Sequence, residues 1–272
     1  MFVKRVLVTL ILLPVGLALI VIGGWAYVGL VTLALALAAW EYSRLFQVGG
    51  LAPATPLLVA GTLAIAVSRA MDGFSSAPWL VSLLILAAMT YHLLAYERGR
   101  NQAASDFSVT LAGMFYIGWL GAYLISVRDL PDGLWWLLVI LPAVWLADAM
   151  AYLVGSRIGR HKMTRRLSPK KSWEGYLGGI IAGTLGGAGL AALMQYLAAP
   201  GGSITWPRGA LLGLALAALT ILGDLGESMI KRQVGAKDSG DLLPGHGGVF
   251  DRIDSWLWAG VIGYYLITWL WV

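Results

Sequence analysis

The chain has 272 residues, 59% of them hydrophobic and 12% charged, with a net charge of +5 and a mean hydropathy of +0.77. Soluble domains are about 45–50% apolar and about 25% charged, so an ordinary soluble protein is excluded and the class is an all-α polytopic integral membrane protein. Cysteine is absent, which rules out disulfides, thiolate metal sites and cysteine nucleophiles. The positive charge suits anionic lipid headgroups or a nucleotide.

Nine transmembrane helices are expected. The first two run over about 6–22 and 25–43, joined by Gly23-Gly24, with Lys4-Arg5 ahead of a retained signal-anchor helix. Three more occupy about 53–69, 79–96 and 109–127, the fourth holding His92, which reads as a hydrogen-bonded structural histidine. The sixth, about 134–155, carries Asp148 near its end. The seventh, about 176–198, is rich in Gly and Ala, which suits close helix packing. The eighth and ninth span about 208–226 and 255–272. All of this reads as a single membrane domain over 1–272, with N-terminal spans to about 130 and catalytic spans and loops over about 134–272.

With the N-terminus in the cytoplasm and spans alternating, sixteen of the nineteen Lys and Arg residues fall on the cytoplasmic side, and only Arg69, Arg128 and Arg208 on the other. The two long polar connections, about 156–175 and 227–254, then face the cytoplasm together, which puts an active site at that side of the bundle.

The polar run from Ser228 to Asp254 departs from the rest of the composition. Lys231, Arg232, Lys237 and Arg252 suit phosphate groups, Asp238, Asp241, Asp251 and Asp254 offer hard oxygens of the kind magnesium prefers, and the glycines around His246 let backbone N–H groups approach an anion. Just upstream, Asp224, Glu227, Ser228 and Lys231 are spaced i, i+3, i+4 and i+7 and share a face if the helix continues. A Glu227–Lys231 surface pair accounts for Glu227 but leaves Asp224 unexplained; Asp224 reads as a metal ligand or metal-water partner. Asp148, with Tyr152 and Gly155 on its face, is either a functional acid or a helix-packing acid bonded to a neighbouring hydroxyl. Lys170 and Lys171 flank a helix start that Ser172 caps, with Glu174 in its first turn, a favourable phosphate seat. The cluster from Arg157 to Arg166, His161 included, serves topology and lipid attraction.

Ser228, Lys231-Arg232, Lys237-Asp238, His246-Gly247-Gly248 and Asp251-Arg252-Ile253-Asp254 fall in the order and spacing of a known signature. In this the chain resembles the phosphatidate cytidylyltransferases (CDP-diacylglycerol synthases). The segments at 148–155 and 168–175 resemble the same family. The resemblance implies transfer of the cytidylyl group of CTP to phosphatidic acid, giving CDP-diacylglycerol and diphosphate. It implies Mg2+ as cofactor, one ion or two, with the presence of a monovalent cation left open. It also implies a homodimer in a bacterial cytoplasmic membrane, with membrane lipids but no nucleic acid as partners. Asp224 and Asp251 are the principal metal candidates and Asp148 and Asp254 the second. Lys231, Arg232, Lys237 and Arg252 would hold phosphates, Asp238, Gly247 and Gly248 belong to the same site, and His246 is a site residue without an assigned role. Ser228 reads as a phosphate or metal-water contact. A related transferase acting on another lipid phosphate or a polyprenol is the alternative enzyme. A transporter of an anionic solute is the alternative class, though the matched interrupted spans of such proteins are not evident.

Overall fold

The computed structural model describes residues 2–197, 202–242, 245 and 247–271. Among these the regular structure is helical, apart from an isolated antiparallel bridge between Lys162 and Ser172 and a bridge position at Gly247. The helices are α1 (Phe2–Ile22), α2 (Gly24–Val48), α3 (Thr55–Asp72), α4 (Ala77–Glu97), α5 (Ala103–Gly113), α6 (Tyr123–Asp129), α7 (Gly133–Ile158), α8 (Trp173–Leu197), α9 (Trp206–Leu219), α10 (Ile221–Gln233) and α11 (Phe250–Leu270). A π-helical turn over Met114–Trp119 joins α5 towards α6, and only Thr220 separates α9 from α10.

Taking α5–α6 and α9–α10 as single rods, a helical segment lies at each of the nine expected spans. Six of these segments are long and apolar enough to cross a membrane: Gly24–Val48, Ala77–Glu97, Ala103–Asp129, Gly133–Ile158, Trp173–Leu197 and Trp206–Gln233. The composition of two others explains their lower hydropathy: α3 carries Arg69 and Asp72, and α11 opens on Asp251, Arg252 and Asp254. In α1 the apolar part of the described helix is Leu12–Ile22.

The chain divides into two compact units, Met1–Ser126 with Ile230–Ile253, and Val127–Met229 with Asp254–Val272. Nearly all of the polar run, Ile230–Ile253, clusters with the N-terminal helices.

In the first unit, α2 packs on α3, and both meet the π-helical turn around Leu35, Leu58, Met114 and Ile117, all fully buried. Buried polar groups pin these helices. The Tyr27 hydroxyl donates to the Leu124 carbonyl at 3.0 Å, and the buried Asp106 carboxylate accepts from Ala52 N–H and from the Arg100 guanidinium, both at 2.7 Å. That partnership holds the Arg100 guanidinium above its ordinary pKa. His92 is a buried structural residue as expected, with Nε2 2.9 Å from Thr110 Oγ1.

In the second unit α8 packs along both α7 and α9. Seven glycines would make α8 a poor helix in water, where each costs about 1 kcal/mol relative to alanine. Here they permit backbone contact. Gly175, Gly179, Gly183 and Gly187 recur every fourth residue and are buried. A Cβ on Gly175 would stand 2.6 Å from the Ala151 carbonyl oxygen, and one on Gly183 would stand 2.6 Å from Ala217 Cβ. The Tyr176 hydroxyl closes this packing by donating to the Ala218 carbonyl at 2.8 Å. Trp136, fully buried on α7, stacks on Trp271 with ring centroids 5.1 Å apart.

Candidate active site

The second unit gathers Asp148, Lys171, Asp224 and Ser228. Their placement begins with the basic connection after α7, which folds back on itself. Met163 N–H donates to the Lys171 carbonyl at 3.0 Å and Trp173 N–H to the His161 carbonyl at 2.9 Å. The Ser172 hydroxyl, buried, accepts the Gly175 N–H at 3.2 Å and so caps α8 as the sequence suggests. Gly155 and Gly159 both lie against that hydroxyl, which explains small residues there. Glu174, in the first turn of α8, accepts N–H bonds from Arg160 and His161 and meets His161 Nδ1 at 2.5 Å. His161 and Glu174 therefore fasten the loop.

This pinning presents Lys171, whose ammonium lies 2.6 Å from Asp224 Oδ2 on α10. The other Asp224 oxygen is 3.4 Å from Ser228 Oγ, one turn along the helix, a weak contact. Asp148, exposed on α7, is in electrostatic range of both Asp224 and Lys171. Two carboxylates and one ammonium thus share one locality. Each carboxylate leaves oxygen lone pairs open, and Asp224 remains 38% exposed. Glu227, on the same helix, is buried. Asp254 is buried at the start of this unit's part of α11, where its Oδ1 accepts Ser255 N–H at 2.6 Å. Gly223 approaches it so closely that a Cβ would lie 2.6 Å from the Asp254 carbonyl oxygen.

The first unit gathers Lys231, Ser239, Gly247, Gly248 and Asp251. The Lys231 ammonium lies 2.6 Å from Asp251 Oδ1, with the two side chains 13% and 7% exposed. Asp251 Oδ2 accepts three further bonds, each of 2.9 Å, from Ser239 N–H, Ser239 Oγ–H and Gly248 N–H. Gly247 is required twice over. Its φ is +83°, and a Cβ would stand 2.7 Å from Asp251 Oδ2. A carboxylate with four donors in the first turn of a helix is fixed in direction as well as charge.

Other expected site residues are exposed: Tyr152, Lys170, Arg232, Lys237, Arg252 and Asp238, the last beside Gly247. His246 lies outside the described residues. Two residues of this second cluster were not foreseen from sequence: Ser239, and Glu41 on α2, which is 1% exposed and accepts from Phe250 N–H at 2.8 Å. An acid near the end of an apolar span was the available signal, because such groups are costly in a membrane.

Six helices long and apolar enough to cross a membrane mark the class as an integral membrane protein with ammonium–carboxylate pairs at its polar ends. The comparisons with known proteins make this specific. The family model described as the cytidylyltransferase family matches residues 3–270. A phosphatidate cytidylyltransferase of Synechocystis is 30% identical over 97% of this chain and 96% of its own length. One from Mycobacterium bovis is 32% identical over 94% of this chain and 86% of its own length. One from Brucella abortus is 44% identical over a stretch covering 56% of this chain and 54% of that protein. The chain belongs to the cytidylyltransferase family, and it is a nucleotidyltransferase.

Proposed function

We propose that this protein transfers the cytidylyl group of CTP to phosphatidic acid, giving CDP-diacylglycerol and diphosphate, at the cytoplasmic face of a bacterial inner membrane. The observation that carries the reading is the Lys231–Asp251 pair locked by Ser239 and Gly248, inside a chain matched by the family over 3–270. The relatives' names supply the lipid acceptor. Sixteen of nineteen basic residues on one side of an alternating bundle support the cytoplasmic orientation.

Both substrates are polyanions, so the protein must overcome repulsion, align a lipid phosphate oxygen with the α-phosphorus of CTP, and stabilise the departing diphosphate. Lys171 and Lys231, each oriented by a carboxylate 2.6 Å away, are poised to bind phosphate oxygens. The exposed Arg232, Lys237 and Arg252 supply mobile cations that can close on the nucleotide, and Lys170 lies beside the capped start of α8.

Magnesium fits the donor set. Among the described residues no three acids or histidines converge, yet magnesium is ordinarily held by one or two carboxylates together with substrate phosphates and water. Asp224, with its partly exposed carboxylate and Asp148 nearby, meets that pattern. Asp251, the other principal candidate, lies in the first unit with both oxygens already engaged, and Asp254 is the second candidate beside Asp148. When bound, the ion would neutralise charge on the phosphates during displacement. A homodimer belongs to this proposal. The glycine face of α8 is filled within its own unit by α7 and α9, so dimer contacts would use other apolar surfaces.

The test is release of diphosphate from CTP by purified protein in mixed micelles, with and without phosphatidic acid and magnesium. Turnover that needs both is the expected result. Diphosphate release that is indifferent to phosphatidic acid, or solute transport without CTP consumption, would overturn the assignment.

A further inference from the structure

Glu41 belongs to none of the motifs that single out the polar run, and 198 positions separate it from Ser239. It nevertheless stands at the centre of that run's fold. Its Oε2 accepts Phe250 N–H at 2.8 Å and lies 3.2 Å from Ser239 Oγ. Phe250 opens α11, so this bond satisfies one of the N–H groups a helix start leaves without an intrahelical partner. Ser239 in turn holds Asp251 through its N–H and its hydroxyl, both at 2.9 Å, and accepts Asp251 N–H at 3.3 Å. Its one hydroxyl proton goes to one carboxylate at a time, while its N–H holds Asp251 throughout.

The backbone is shaped to admit this carboxylate. A Cβ on Gly240 would lie 2.7 Å from Glu41 Oε1, and one on Gly248 would lie 2.7 Å from Glu41 Cδ. Gly248 is also the residue whose N–H reaches Asp251. Gly240 is therefore small because Glu41 is there, and Gly248 because Ser239 Oγ and Glu41 both lie against it, and the same stretch of backbone that wraps Glu41 delivers donors to Asp251. An apolar residue at position 41 would pack within the bundle more cheaply, since buried acids carry a desolvation cost.

We infer that Glu41 is a positioning residue for the reaction: through Ser239 and Phe250 it sets the direction of the Asp251 carboxylate and the register at which α11 begins. This rests on the proposed function in taking Asp251 as part of the reacting site. The Phe250 and Ser239 bonds both fall on Oε2, while Oε1 is buried with no hydrogen-bond partner among the described residues, so the requirement is for an acceptor rather than for a charge. Glutamine can meet it and alanine cannot.

The experiment compares wild type, Glu41→Gln and Glu41→Ala as full-length protein in detergent micelles. It uses CTP turnover with phosphatidic acid and amide hydrogen exchange over residues 236–251. Glu41→Ala is expected to lose roughly 10- to 100-fold in kcat with KM for CTP changed less than about threefold, and to exchange the Ser239 and Phe250 amides at least about tenfold faster. Glu41→Gln should stay within about threefold of wild type in both readouts. Wild-type kcat in Glu41→Ala, unchanged exchange, or a Glu41→Gln variant as impaired as the alanine would each overturn the inference. Should Glu41→Ala not yield monodisperse protein, Ser239→Ala replaces it, with the same fall confined to kcat expected and wild-type kcat overturning the role. Absence of phosphatidate-dependent turnover in the wild type would instead strike the proposed function, while the exchange comparison still judges the positioning.

Discussion

Asp251→Asn tests the centre of the first unit's cluster because it removes charge without removing volume. The carboxylate has an ammonium 2.6 Å from Oδ1 and three donors at 2.9 Å on Oδ2. An asparagine amide presents one oxygen and one NH2 group, so whichever way it turns, donors face donors on one side. With the two side chains 13% and 7% exposed, solvent offers little relief, and breaking such a pair costs about 3–5 kcal/mol. For a chain of this size that corresponds to a fall of roughly 10 °C in the unfolding midpoint. Lys231→Met should cost less, because the three donors on Oδ2 remain to satisfy the anion. The double variant Lys231→Met/Asp251→Asn should be more stable than the sum of the two losses implies, with a coupling of about 1–3 kcal/mol. Turnover should be abolished in Asp251→Asn and stay abolished in the double variant, so that regained stability does not bring back activity. Thermal unfolding in detergent followed by fluorescence, alongside diphosphate release, measures both. Near-normal turnover in Asp251→Asn would refute its place in the site, and additive stability losses would refute the coupled pair.

Asp224→Asn should separate the two effects in the opposite sense. Its partner Lys171 is 23% exposed and Asp224 itself 38%, so the unfolding midpoint should move by the equivalent of less than about 1 kcal/mol, while turnover falls at least about a hundredfold. A variant with wild-type turnover would remove Asp224 from the metal proposal. Gly183→Leu should prevent accumulation of monodisperse protein, since even a Cβ there would meet Ala217 Cβ at 2.6 Å, whereas Gly189→Ala, with nothing within 4 Å of the added atom, should be tolerated or stabilise by about 0.4–1 kcal/mol. Size-exclusion profiles of the two variants decide the matter.

Much of this architecture was legible in the sequence for plain physical reasons. Apolar runs long enough to cross a bilayer have few alternatives to helix, because unsatisfied backbone groups are intolerable there. Every expected span accordingly coincides with a helical segment. The capping serine before α8 was legible because its chemistry is local, as was the loop-forming role of the run after α10. What escaped was long-range. The division of the chain at about 130 followed the linear order of spans, yet Ile230–Ile253 belongs with the N-terminal helices. Among the contacts that join them, Glu41 with Ser239 and Phe250 links residues some two hundred positions apart, and no local pattern encodes such a pairing. Gly240 and Gly248 look like generic loop glycines until the carboxylate they accommodate is known. The helix interruptions at Met114–Trp119 and at Thr220 were likewise invisible, since neither contains proline and both are settled by packing against neighbouring helices.

The two lysine–aspartate pairs show why distance alone does not assign a role. Lys171–Asp224 and Lys231–Asp251 are both 2.6 Å apart. The first is open to solvent and adds little to folding, so a chain that merely needed a stable bundle would gain almost nothing from it. The second is mostly buried and surrounded by donors, and its two charges would be a net cost if they served stability alone, because well-packed apolar residues usually do as well or better. Neither pair is therefore explained by the fold. Within the second unit, a half-exposed pair with open lone pairs is suited to exchange its partner for an incoming phosphate or cation. Within the first unit, an enclosed and fully bonded pair is suited to stay still, with Glu41 fixing the Ser239 that holds Asp251.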